Sequence, residues 1–84
     1  MTYYVYMLKS INTNKSNKSY VGYTRNLSER INKHNSNKGA KSTRGYKWVL
    51  IYKRYFKDKS KAMSYEYKLK KDRKKRAILL DKWK

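Results

Sequence analysis

The stretch Ser19-Tyr20-Val21-Gly22-Tyr23-Thr24-Arg25-Asn26-Leu27-Ser28-Glu29-Arg30-Ile31 reads as a strand that runs straight into a helix. Ser19 to Thr24 has the aromatic and β-branched content of a pleated, half-buried segment. Asn26 followed three residues later by Glu29 is a capping-box variant, and Leu27 and Ile31 lie four apart on one helix face. A helix from about Leu27 to Asn35 is the expectation.

Upstream, Tyr3 to Lys9 is rich in Tyr and Val with apolar groups on both faces, so it should be a central strand. Ser10 to Lys18 consists of turn-forming polar residues, which makes the two strands a hairpin with a long basic tip around Lys15 and Lys18. Downstream, Asn35 to Tyr46 carries Gly39 and Gly45 among Lys38, Lys41 and Arg44 without apolar periodicity, and reads as a basic loop. Lys47 to Phe56 is a third strand by its β-branched and aromatic content. Asp58 or Ser60 can cap a second helix whose inward stripe would be Ala62, Met63, Glu66, Tyr67 and Leu69. Asp72 can cap a further helix carrying Ala77, Leu80 and Trp83, although no Pro or Gly forces a break and one long helix is equally open. The order β-β-α-β-α-α implies a single α+β domain over residues 1–84, a small three-stranded and mostly antiparallel sheet flanked by helices.

Composition narrows the partners. With 24 Lys plus Arg against 5 Asp plus Glu, the 84-residue chain carries a formal charge of +19. A polyanion would relieve that self-repulsion through counterion release, so nucleic acid is the expected partner. The absence of cysteine removes disulfides and thiolate metal sites, and one histidine gives a structural zinc site almost nothing to bind. An aromatic content of 15% argues against a disordered basic tail. No basic leader and no long apolar run precede the first strand, and a cytoplasmic protein is expected, with no membrane partner.

Chemistry is concentrated in a few residues. Glu66 stands between Ala62 and Leu69 on the apolar stripe, where an unpaired carboxylate is costly, so it should have either a Lys or Arg partner or a metal ion. Arg30 and His34 lie four apart and face one side of the first helix. An arginine fork can hold phosphate oxygens, and an imidazole titrates near neutrality; the plainer alternative is a solvated basic face with His34 as an ordinary surface residue. Tyr4 and Tyr6 share a strand face, and Tyr20 is followed at i+2 by Gly22, whose missing side chain leaves room for a close approach. Each tyrosine could equally be a packing residue.

Taken in order, Tyr4-Val5-Tyr6, Tyr20-Val21-Gly22, Asn26-Leu27-x-x-Arg30-x-x-x-His34, Gly39-Ala40-Lys41-Ser42-Thr43-Arg44 and Glu66 resemble the GIY-YIG endonuclease superfamily, in its small stand-alone branch related to repair and structure-specific nuclease domains. The resemblance spans essentially the whole chain. It implies an endonuclease that hydrolyses DNA phosphodiester bonds. Tyr6 and Tyr20 would line the active site, one of them positioning or deprotonating the attacking water. Arg30 would stabilise charge on the scissile phosphate, His34 would contact the phosphate or assist proton transfer, and Glu66 would be the sole protein ligand of a Mg²⁺ or Mn²⁺ ion. Arg25, Lys38, Lys41, Thr43 and Arg44 would contact nucleic acid. The first glycine of the family pattern is Tyr4 here, and Tyr23 stands where the repair branch has a lysine, so Lys41 or Arg25 would have to replace that cation.

Five acids cannot build a two-metal cluster, which agrees with a one-metal mechanism. The basic segments, including Lys68 to Arg76, offer phosphate contacts without obvious base readout, so strong sequence specificity is not expected from this domain, and exposed tyrosines would favour single-stranded or branched DNA. Targeting would then fall to a protein partner. No small-molecule cofactor is implied. A non-catalytic nucleic-acid-binding module of the same fold is the main rival reading, and a membrane-active cationic protein is a third.

Overall fold

The computed structural model describes residues 2–11 and 18–82. Lys15 of the hairpin tip and Trp83 therefore lie outside the described residues. The elements run β1 (Tyr3–Ser10), β2 (Ser19–Thr24), α1 (Leu27–Asn35), a short 3₁₀ turn (Lys41–Thr43), β3 (Trp48–Phe56), α2 (Lys59–Lys71) and α3 (Arg73–Lys82). The strands form one sheet in the order β2-β1-β3, and both pairings are antiparallel. This is the expected α+β architecture.

Both faces of β1 are covered, which is why its sequence lacks a clean polar alternation. Val5 and Met7, with Val21 of β2, pack against Ala62 and Leu69 of α2. Tyr6 and Leu8 pack on the opposite face with Trp48, Leu27 and Ile31. Pairing opposes Tyr6 to Gly22 and Leu8 to Tyr20, so these four residues share the α1 side. The β1–β3 register slips between Met7 and Leu8, whose partners are Tyr52 and Leu50, leaving Ile51 as the extra residue of a bulge.

Local chemistry sets the helix ends. The Asn26 side chain accepts from the Glu29 backbone N–H at 3.1 Å, and its amide donates to Glu29 Oε2 at 3.4 Å. Beyond α1, Asn37 adopts a left-handed conformation with φ of 62°, and the Lys38 N–H closes back on the Lys33 carbonyl at 2.8 Å. The Asn35 side chain then brackets the Trp48 backbone, donating to its carbonyl at 3.0 Å and accepting from its N–H at 2.6 Å. Asp58 caps α2 by accepting from Ser60 N.

Asp72 resolves the choice between one C-terminal helix and two. Its backbone leaves helical geometry at φ −88° and ψ 85°, and its carboxylate accepts from Lys75 N at 3.0 Å to start α3. Two expectations about these helices require correction. Met63 and Tyr67 are exposed, and Tyr65 takes the inward place beside Ala62, Glu66 and Leu69, because positions i, i+3, i+4 and i+7 are the ones that share a helix face. Ala77 is exposed, while Leu79 and Leu80 carry the packing of α3. No helix among the described residues is long and apolar enough to cross a membrane.

Candidate active site

Four elements bring the site together. Tyr6 comes from β1, Tyr20 and Gly22 from β2, Arg30 and His34 from successive turns of α1, and Glu66 from α2 on the other sheet face. The Tyr20 ring lies 4.8 Å from the His34 ring, and the Tyr6 ring lies 6.0 Å from it, centroid to centroid. Gly22 is required by this packing, since a Cβ there would stand 2.6 Å from the Tyr6 hydroxyl and 2.8 Å from its Cζ.

His34 is the most enclosed polar group of the site. It has no exposed surface, so the expectation of a surface histidine on a solvated helix face is wrong. Both ring nitrogens have partners, the Tyr6 hydroxyl at 2.9 Å from Nε2 and the Thr43 hydroxyl at 2.9 Å from Nδ1. Burial, reinforced by the nearby Arg30 charge, lowers the His34 pKa below its ordinary 6.5, so the imidazole is neutral at neutral pH. A Cβ on Gly39 would strike this ring, standing 3.0 Å from Cε1, so only glycine lets the loop close over it.

Tyr6 is buried too, and burial pushes its phenol up to about 12, against the opposing pull of the nearby Arg30 guanidinium. Tyr20 and Glu66 reinforce the upward shift through space, which places both within electrostatic range of the phenol. The neighbouring Tyr6 phenol in turn raises the Arg30 pKa and keeps it charged. Among the described residues no acceptor meets the buried Arg30 Nε–H. Such a donor is expensive to leave unmet.

Glu66 resolves partly toward the ion-pair alternative. Its side chain is 16% exposed, and Oε1 lies 3.4 Å from Lys70 Nζ, an i,i+4 partner that is itself half exposed. Among the described residues no three His, Cys, Asp or Glu side chains cluster. A lone carboxylate fits a hard cation that retains most of its water, and fits no cage of several protein ligands.

An open groove of about 750 Å³ begins at Arg30 and is flanked by Arg25, Lys33 and Lys59, with Tyr3 and Tyr23 on its wall. Glu29 is also there, ion-paired to Lys33 at 3.4 Å. Arg25 lines the same groove as Arg30. Lys38, Lys41 and Arg44 are exposed on the loop that closes over His34 and do not line this groove. Thr43 is different from the outward contact expected of it, because its side chain is fully buried and engaged with His34. Neither Lys41 nor Arg25 appears as the cation acting on Tyr6, a place taken by Arg30. Sequence reasoning missed Lys33, Lys59 and the Thr43 contact; of the features around them, only the isolated Gly39 signalled a close approach.

Of the expected catalytic residues Arg30 lines this basic groove, and Tyr6, Tyr20, His34 and Glu66 do not. The chain belongs to the GIY-YIG family, a nuclease family, whose catalytic-domain model matches residues 2–78. It is 45% identical over 69 residues to the UPF0213 protein SH2523 of Staphylococcus haemolyticus, covering 81% of this chain and 79% of that one. It is 46% identical over 69 residues to the UPF0213 protein CPE1444 of Clostridium perfringens, covering 81% and 70%. The solution NMR structure of the UPF0213 protein BH0048 from Bacillus halodurans aligns with a TM-score of 0.53 at 39% identity, over 99% of this chain and 86% of that one.

Proposed function

We propose that this protein is an endonuclease that hydrolyses DNA phosphodiester bonds with one divalent metal ion, Mg²⁺ or Mn²⁺. The observation that supports this most directly is the Arg30 guanidinium, a charged donor that lines a basic groove together with Arg25, Lys33 and Lys59. A phosphate oxygen would satisfy that donor, and the charge that grows on the phosphate during attack would strengthen the bond. Tyr6, buried and neutral, holds His34 in place near Arg30. Tyr20, half-buried beside His34, is the phenol that solvent can reach and the one suited to orient the attacking water. A metal ion held by Glu66 would neutralise the leaving oxygen.

The groove supplies charge and two tyrosine rings and no array of donors matched to base edges, which fits binding without strong sequence preference and with a bias to single-stranded or branched DNA. Repair and a cytoplasmic, nucleoid-associated location accord with such a substrate, and a protein partner would supply targeting.

The Glu66–Lys70 ion pair favours a second reading, a binding module in which this carboxylate is only structural. Labelled single-stranded, duplex and branched DNA incubated with Mg²⁺, Mn²⁺ or EDTA, with wild type and Glu66→Gln, separates the two. Metal-dependent cleavage that disappears in the variant while binding persists is the expected result. Binding without cleavage under every metal would leave the module.

A further inference from the structure

The hydrogen bonds around His34 can be followed proton by proton, and they have one direction. The Thr43 hydroxyl lies 2.7 Å from the Ala40 carbonyl and 2.9 Å from His34 Nδ1. A carbonyl can only accept, so the single hydroxyl proton of Thr43 belongs to the bond with Ala40. Toward Nδ1 the Thr43 oxygen can then only accept, and Nδ1 must carry the proton. A neutral imidazole protonated at Nδ1 is bare at Nε2. Nε2 therefore accepts from the Tyr6 hydroxyl at 2.9 Å. With its own proton turned to His34, the Tyr6 oxygen has only lone pairs to turn toward the nearby Arg30 guanidinium, whose pKa it raises. The chain runs from Tyr6 through His34 and Thr43 to the Ala40 carbonyl, with no two donors and no two acceptors opposed.

Thr43 is well anchored for this task. Its carbonyl accepts from the Trp48 indole N–H at 2.9 Å, and Trp48 is itself clasped by the Asn35 side chain. Gly39, whose missing Cβ allows the loop to close on the ring, lies just before Ala40.

We infer that Thr43 is a positioning residue that fixes the tautomer of His34 and, through it, turns the Tyr6 hydroxyl proton away from Arg30, leaving the phenol's lone pairs to face the guanidinium that would bind a phosphate. The inference deepens the nuclease reading in its consequence for Arg30, while its first half concerns only the free protein. A threonine in this role touches no substrate; it acts by leaving His34 one place for its proton. Without Thr43 the imidazole could carry its proton on Nε2, the Tyr6 hydroxyl would have to turn its own proton toward Arg30, and two donors would meet.

Because His34 is the sole histidine of the chain, its ring nitrogens are identified without ambiguity in a long-range proton–nitrogen correlation spectrum. The spectrum is recorded at mildly alkaline pH on wild type, Thr43→Ser and Thr43→Val, each without DNA or metal. The expected result is a protonated Nδ1 and a bare Nε2 in wild type and in Thr43→Ser, with that pattern lost in Thr43→Val. A wild-type ring protonated at Nε2 overturns the inference even if Thr43→Val does not fold, and so does a Thr43→Val spectrum identical to wild type. Cleavage is measured on the same three proteins. If the wild type cleaves DNA, Thr43→Val should lose about 100-fold in turnover, as a misplaced phosphate ligand does, and Thr43→Ser should retain it. A silent wild type would count against the nuclease reading alone, and the spectra would still decide the tautomer.

Discussion

The Tyr6 hydroxyl and His34 Nε2, contributed by residues 28 apart in the chain, lie 2.9 Å from each other with both side chains fully buried. The contact joins the central strand to α1 inside a cluster otherwise made of Leu8, Trp48 and their apolar neighbours. In such surroundings the bond matters less for its own strength than for the polar atom that its removal would strand. Tyr6→Phe removes the donor and leaves Nε2 buried without one. Unfolding by urea should show a loss of about 1–3 kcal/mol. A midpoint unchanged from wild type would mean that another donor replaces the phenol.

Gly22→Ala tests the space that Tyr6 occupies. The added methyl would stand 2.6 Å from the Tyr6 hydroxyl and 3.1 Å from the Tyr20 ring, so one of the two phenols must move. Overpacking of this kind costs about 1–3 kcal/mol. The variant should be less stable in urea and slower in any cleavage that depends on these phenols. Since alanine is otherwise compatible with an extended strand, a neutral effect would show that the phenols shift at little cost.

The strands and their order are legible in the sequence because local signals coincide there. Tyr3 to Lys9 is aromatic and β-branched, Ser10 to Lys18 is turn-forming, and Asn26 with Glu29 marks a helix start that the structure keeps. The inward face of α2 is less legible, because Met63 and Tyr67 are apolar side chains that lie about one position off the stripe set by helix geometry. His34 shows its limits more sharply. Within α1 its only visible relation is to Arg30, one turn earlier, and that suggests a solvated basic face. Its burying partners, Tyr6 and Thr43, come from a strand and a loop at separations of 28 and 9 residues, and no local pattern announces such meetings.

Acidification should weaken the fold through His34. Its folded pKa is below 6.5, so as pH falls through about 6.5 the unfolded chain takes up a proton that the native protein does not. Stability therefore rises with pH in the window between the lowered pKa and 6.5, is fully present above it, and is lost as pH falls toward the lowered value. Denaturant midpoints of wild type and His34→Gln, compared from about pH 7.5 to about pH 5, should diverge in slope, with the wild type the steeper. Parallel slopes would show that His34 takes up its proton equally in both states.

Arg30→Lys separates charge from geometry at the phosphate. Lysine keeps the positive charge, so association driven by the +19 body should remain steeply salt-dependent, with losses of about 10³ to 10⁵ in affinity between about 50 and 200 mM salt for six to ten phosphate contacts. A point ammonium cannot donate to the Tyr6 phenol and also present a fixed fork to the substrate. Cleavage should fall by about 10² to 10³, the usual result of removing one preorganised donor at a developing oxyanion. Equal loss of binding and cleavage would assign Arg30 to general affinity, whereas cleavage lost at unchanged affinity and unchanged salt slope places its contribution in the transition state, where a planar fork aligned on the phosphate is worth more than a point charge.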